Sequence, residues 1–174
     1  HCAIAPFWPQ PTKNTNKPKY KHMYIEEKYG SLINAKNNQS YILGICLGMQ
    51  LLFTKSEEFE ITNGLNFIKG NIKKLDKFNS KLNIKLPHIG WKNCNLEFFK
   101  EKISILKNIS PNDEFYFVHS YIFKVEEHKN ILATSYYAEK FTCGVNKENI
   151  FGTQFHPEKS GDNGLKLIKN FLTL

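Results

Sequence analysis

Residues 41–53, Tyr-Ile-Leu-Gly-Ile-Cys-Leu-Gly-Met-Gln-Leu-Leu-Phe, constrain the fold more than any other stretch. An apolar run of strand length passes through Gly-x-Cys-x-Gly directly into helix formers, which predicts a strand over 41–46, a helix over 47–54 and a sharp turn with Cys46 at its apex. A side chain at such a turn sits on strained backbone, and Gly44 and Gly48 remove the Cβ atoms that would collide as the chain folds back. The helix beginning at Leu47 brings unpaired N–H groups and a dipole, which favour a thiolate at Cys46 and offer the Leu47 N–H to a developing oxyanion. Acyl transfer through a thioester is the chemistry that suits this arrangement. A buried cysteine in a core strand, with glycines serving packing, suits the same residues.

With 174 residues, 41% hydrophobic and 14% aromatic, the chain is long enough for one domain with a substantial core. Cys2, Cys46, Cys94 and Cys143 are scattered without metal-ligand spacing or the density of a disulfide scaffold, so they read as reduced thiols of a cytoplasmic protein with no metal. No stretch has the length and apolarity of a membrane span, and none reads as a signal peptide, so no membrane association is expected. The charge of +8 comes from lysine alone. Without arginine, the residue best suited to bidentate phosphate and base contacts, nucleic acid is not an expected partner. The basic stretch from Lys69 to Lys85 reads as a solvated face.

Along the chain, residues 1–40 differ from the rest: Pro6, Pro9, Pro11 and Pro18 interrupt a polar segment, which reads as irregular or truncated. Residues 41–174 form the expected domain. After the elbow, strands are expected at 67–69, 71–75, 84–86, 114–119, 121–125, 131–136, 141–145 and 150–155. A final helix follows with Ser160 as its cap, and Leu165, Ile168, Phe171 and Leu172 form its apolar face.

Near the end stands Gln154-Phe155-His156-Pro157-Glu158-Lys159-Ser160. In an extended chain residues two apart share a face, and Pro157 biases His156 to the extended region, so an imidazole and a carboxylate are delivered together. An exposed thiol needs a base for its proton and a third group to hold that base in the right tautomer. Cys46, His156 and Glu158 supply these three roles.

Gly-Ile-Cys-Leu-Gly-Met-Gln-Leu-Leu-Phe together with Gln-Phe-His-Pro-Glu-Lys-Ser resembles the class I glutamine amidotransferases. Leu86-Pro87-His88-Ile89-Gly90-Trp91 and Phe115 to Tyr121 resemble, within them, the glutaminase subunits of imidazole glycerol phosphate synthase, and the likeness runs from about Ile42 to Leu172. The resemblance implies an α/β fold, a flavodoxin-like three-layer arrangement with a mixed sheet. It also implies hydrolysis of L-glutamine to glutamate and ammonia without a cofactor, Cys46 being nucleophile, His156 proton carrier and Glu158 its support. It assigns glutamine contacts to Leu47, Gly48, Gln50, Glu58, Tyr116, Ser120 and Tyr121, a mixture of polar groups that rejects ligands lacking them. The implied partner is the cyclase subunit, which receives ammonia in a heterodimer serving histidine biosynthesis, with Trp91 and Lys159 on the shared face.

This chain departs from the family pattern before the elbow. The N-terminal βαβ portion reads as missing or degenerate, and Pro11 to Asn16 contain no glycine where a Pro-Gly-x-Gly loop would complete the oxyanion hole. Phe59 stands where glycine usually follows the acidic pair, and Lys92 where asparagine often follows the tryptophan. Other readings are a catalytically impaired binding subunit of the same complex, an amidotransferase serving a surface-sugar pathway, and a cysteine hydrolase acting on another amide.

Overall fold

The computed structural model describes residues 2–4, 30–58, 61–75, 85–95 and 104–174. The strands are β1 (Cys2–Ile4), β2 (Ile42–Ile45), β3 (Lys55–Ser56), β4 (Thr62–Asn63), β5 (Gly70–Lys74), β6 (His88–Asn93), β7 (Glu114–His119), β8 (Tyr121–Val125), β9 (Ile131–Tyr137), β10 (Glu139–Lys147) and β11 (Ile150–Thr153). Helix α1 covers residues 30–37, α2 is Leu47–Leu52 and α3 is Gly161–Leu172.

One mixed sheet runs β1-β2-β11-β10-β8-β5-β3-β4, with β9 attached to β10. β2 lies between two parallel neighbours, Ile42 opposite Cys2 on one side and Ile150 on the other. All four of its residues are buried, as expected of a parallel strand covered on both faces. Alternation then divides the core. Ile42 joins Met49, Leu52, Phe53 and Leu32 on the face covered by α1 and α2, whereas Leu43 and Ile45 join Leu167 and Phe171 on the face covered by α3. Helices on both sides of the sheet make the three-layer α/β architecture expected from the sequence. β6 and β7 form a separate two-stranded ribbon, His88 opposite His119 and Trp91 opposite Tyr116.

The segment before the elbow contains regular structure. β1 pairs with β2, the elbow strand, and α1 lies between them in sequence; ahead of positions 11–16 the described residues hold β1 alone, and no strand-helix-strand unit precedes them there. Residues 5–29, with the glycine-free stretch at 11–16, lie outside the described residues, as does Phe59. Gly70 opens a single strand rather than separating two, and residues 85–87 are not strand. β6 was not expected, since His-Ile-Gly-Trp-Lys-Asn has neither alternation nor a β-branched run. In α3 the buried residues are Gly164, Leu167 and Phe171, whereas Leu165 and Leu172 are exposed. A Cβ at Gly164 would strike the Pro157 carbonyl, so this glycine lets the helix approach the preceding turn.

Candidate active site

The elbow is built by two backbone hydrogen bonds at Cys46. Its N–H donates to the Thr153 carbonyl at 2.7 Å, prolonging the ladder with β11, and its carbonyl accepts from the Gln50 N–H at 3.1 Å, opening α2. Between them the residue takes φ 48° and ψ −104°, a conformation that costs a non-glycine residue about 1–3 kcal/mol. Gly44 makes the turn possible, because a Cβ there would lie 2.7 Å from the Gly48 carbonyl oxygen. Gly152 does the same from the other side, where a Cβ would meet Met49 Cγ at 2.8 Å.

Half-buried Cys46 Sγ faces the Val118 carbonyl at 4.0 Å and the Gln154 side-chain amide Nε2 at 3.7 Å. Burial pushes the thiol up to about 11. The Leu47 N–H and the Gln154 amide work against this shift, while the negative charges of Glu58 and Glu158 reinforce it. The site therefore holds Cys46 as a thiol until a base takes its proton.

His156 is the candidate for that base. His156 is buried, its N–H donates to the Tyr116 carbonyl at 2.9 Å, and its carbonyl accepts from Ser160 Oγ at 2.6 Å. Its Nδ1 lies 2.7 Å from Glu158 Oε1. A carboxylate accepts, so Nδ1 carries the proton and Nε2 is the free acceptor. Nε2 is buried with no hydrogen-bond partner among the described residues, so in this resting arrangement it is not bonded to the thiol. Both groups hang from one strand, Sγ against the Val118 carbonyl and the His156 N–H on the Tyr116 carbonyl. Those carbonyls are two residues apart on β7, about 7 Å along the strand, so the thiol and the histidine backbone lie against the same short run of β7.

His156 is extended, φ −101° and ψ 94°, as Pro157 implied, but Pro157–Lys159 form a single 3-10 turn. The turn, and not a shared strand face, brings Glu158 back to the ring. Ser160 makes no capping bond to α3; its Oγ donates to the His156 carbonyl and accepts the Tyr116 N–H at 3.0 Å, clamping the histidine turn to β7.

The remaining expected residues divide into near and far. Leu47, Gly48 and Gln50 lie in the first turn of α2 next to Cys46, and Glu58 is close enough for its charge to act on the thiol. Ser120 and Tyr121 follow the end of β7, directly after Val118 and His119. Tyr116 contributes backbone to the site while its ring packs edge-on against Trp91, centroids 5.9 Å apart, on the outer ribbon. Trp91 is 48% exposed, and Lys159 is exposed at the end of the Pro157–Lys159 turn. Gln154 went unremarked in the sequence, although its place two residues before His156 on an extended segment was the available signal. No cluster of three or more His, Cys, Asp or Glu suited to a metal ion occurs among the described residues.

A profile of the glutamine amidotransferase class-I family matches residues 16–174. The chain is 46% identical over 138 residues to the imidazole glycerol phosphate synthase subunit HisH of Leptospira borgpetersenii, covering 79% of this chain and 66% of that protein. It is also 46% identical over 143 residues to imidazole glycerol phosphate synthase subunit HisH 1 of Methanococcus maripaludis, covering 82% of this chain and 66% of the relative. The chain thus spans just under two thirds of the length of these relatives. In fold it is similar to a chain of PurLQS from Thermotoga maritima, with a TM-score of 0.59 at 18% identity over 83% of this chain and 66% of that one.

Proposed function

The chain belongs to the class I glutamine amidotransferases, and from that premise we propose that it is the glutaminase subunit of an imidazole glycerol phosphate synthase, hydrolysing L-glutamine and supplying ammonia for histidine biosynthesis. One observation carries the reading: a strained cysteine elbow shares a corner with a histidine whose Nδ1 is bonded to Glu158 and whose buried Nε2 is unpartnered.

In the proposed reaction His156 Nε2 takes the Cys46 proton as Sγ attacks the side-chain amide carbon of glutamine. The Leu47 N–H stabilises the oxyanion. The C–N bond breaks as His156 returns the proton to nitrogen, releasing ammonia and leaving a γ-glutamyl thioester. Water then attacks the thioester, giving its proton to His156, and glutamate leaves as Sγ regains a proton. Glu158 keeps the ring in the tautomer that accepts at Nε2 and supports the imidazolium that forms in each step.

Gln50, Glu58, Ser120 and Tyr121 are the candidates for the amino-acid headgroup, with Tyr116 and Gly48 contributing backbone. Support comes from their placement around the thiol: the first turn of α2, the loop after β3 and the end of β7 converge there. The partner in this reading is a cyclase subunit, and its landing face is the ribbon, where Ile89 and Trp91 are exposed on β6, together with Lys159. Such a complex works in the cytoplasm, where its thiol stays reduced.

The test is glutamate release by the wild type and by Cys46→Ala, each with and without the cyclase. Turnover that depends on Cys46 is expected, as is covalent labelling of Cys46 by a diazoketone analogue of glutamine. Absence of Cys46-dependent turnover under both conditions overturns the reading.

A further inference from the structure

Outside the triad, the ribbon holds two more histidines. His88 and His119 are register partners across β6 and β7, both buried, with His88 Nδ1 3.0 Å from His119 Nε2. His119 Nδ1 in turn lies 2.8 Å from the Tyr121 carbonyl. Because a carbonyl only accepts, the proton of His119 is on Nδ1; its neutral ring then presents a bare Nε2, so His88 must donate from its own Nδ1. That leaves His88 Nε2 as the bare end of the chain, and it is buried without a hydrogen-bond partner among the described residues. The His88 ring is stacked on Tyr137 at 4.0 Å and on Phe117 at 5.4 Å between centroids.

Packing alone does not call for this arrangement. Phe115 and Phe117 fill the inward positions of β7, and a third apolar side chain at position 119 would continue them without burying ring nitrogens. What the imidazoles add is direction at the place where the chain changes ladders. The β6–β7 register ends at His88 and His119, and the β5 ladder takes over with the Leu75 N–H donating to the Ser120 carbonyl at 3.0 Å and Tyr121 opposite Lys74, so the imidazole bond spans the crossover between the two. One residue before His119 stands the carbonyl that faces the thiol, and the next residues are Ser120 and Tyr121.

We propose that His88 and His119 are a positioning pair: the N–H···N bond between them, continued to the Tyr121 carbonyl, fixes the Val118–Tyr121 segment against Cys46 and the bound substrate. Neither ring takes part in bond making. The substrate side of this inference rests on the glutaminase reading, while the bond itself and its effect on the thiol do not.

The first measurement is NMR of the wild-type chain labelled with ¹⁵N at histidine. Both rings are expected as Nδ1–H tautomers, with a ¹⁵N–¹⁵N coupling through the hydrogen bond from His88 Nδ1 to His119 Nε2. The second compares His88→Leu with His88→Asn, whose amide N–H sits near the position of Nδ1. Losing one buried hydrogen bond is expected to raise KM for glutamine about tenfold in the leucine variant, with a smaller change in kcat, and to alter the rate of Cys46 alkylation by iodoacetamide. The asparagine variant is expected to restore both. Absence of the coupling, an Nε2–H tautomer at His119, or equal behaviour of the two variants overturns the proposal. If the wild type hydrolyses no glutamine, the glutaminase reading fails, and the coupling and alkylation measurements still decide the pair.

Discussion

Replacing Glu158 by Gln separates two effects that a single activity measurement would merge. The Glu158 carboxylate accepts from His156 Nδ1 at 2.7 Å, a short charge-assisted bond, and its charge also holds the Cys46 proton on sulfur. A hydrogen bond to a charged group contributes about 1.5–3 kcal/mol, or roughly 10–150-fold in rate if it is realised mainly when the imidazolium forms. The Glu158 side chain is 38% exposed, so solvent screens part of this, and a loss of about 10–30-fold in kcat is the expected outcome. The thiol moves the opposite way. Removing the negative charge lowers the pH at which Cys46 ionises from its value of about 11, so alkylation above pH 8 speeds up at any given pH. Stopped-flow alkylation with iodoacetamide across that range, beside glutamate release at neutral pH, reads both quantities. An unchanged kcat, or an alkylation profile displaced to higher pH, would show that Glu158 does not act as described.

Gln154→Leu is expected to move the alkylation profile of Cys46 to higher pH and to lower kcat about tenfold, because the amide Nε2 that favours the thiolate is gone; a profile unchanged from wild type refutes that role. For the buried imidazoles, burial holds His88 at about 4, aided by Lys92, and His119 at about 3, where His88 and His156 add to the effect and the Tyr121 carbonyl opposes it. Their folded values lie below the unfolded value of about 6.5, so the unfolded state binds more protons as pH falls. Stability is complete above that value and is lost downward at a rate approaching about 1.4 kcal/mol per pH unit for each histidine. Urea midpoints between pH 7 and pH 4.5 check this, and His88→Asn is expected to flatten the slope.

The parts of the molecule that were legible in the sequence are those governed by local chemistry. Gly44, Cys46 and Gly48 fix an elbow because the backbone itself forbids alternatives, and the strands at Glu114–His119 and Ile150–Thr153 show as apolar or alternating runs with turns at their ends. Less was legible where a long-range contact decides. β6 carries no strand pattern of its own, and it is extended because six residues of β7 stand opposite it. In α3 Phe171 faces inward as expected but Leu165 and Leu172 face outward, because Gly164 packs against the Pro157 carbonyl, a contact that helical periodicity does not contain. Glu158 reaches His156 through a turn, although the sequence suggested a shared strand face.

The candidate site divides along the same line. Its reacting atoms come from two short motifs, whereas the groups that tune and hold them come from residues that look structural in the sequence. Gln154 reads as one more position in a buried strand exit, yet it donates toward Sγ. Ser160 reads as a helix cap, yet it joins the histidine turn to β7 through the His156 carbonyl and the Tyr116 N–H. β7 is where these supports converge, since its carbonyls at Tyr116 and Val118 meet both halves of the Cys46–His156 pair. A displacement of that one strand therefore moves nucleophile and base together. The same strand is paired to β6, which exposes Trp91, so a displacement of that ribbon edge reaches the thiol through a single run of backbone.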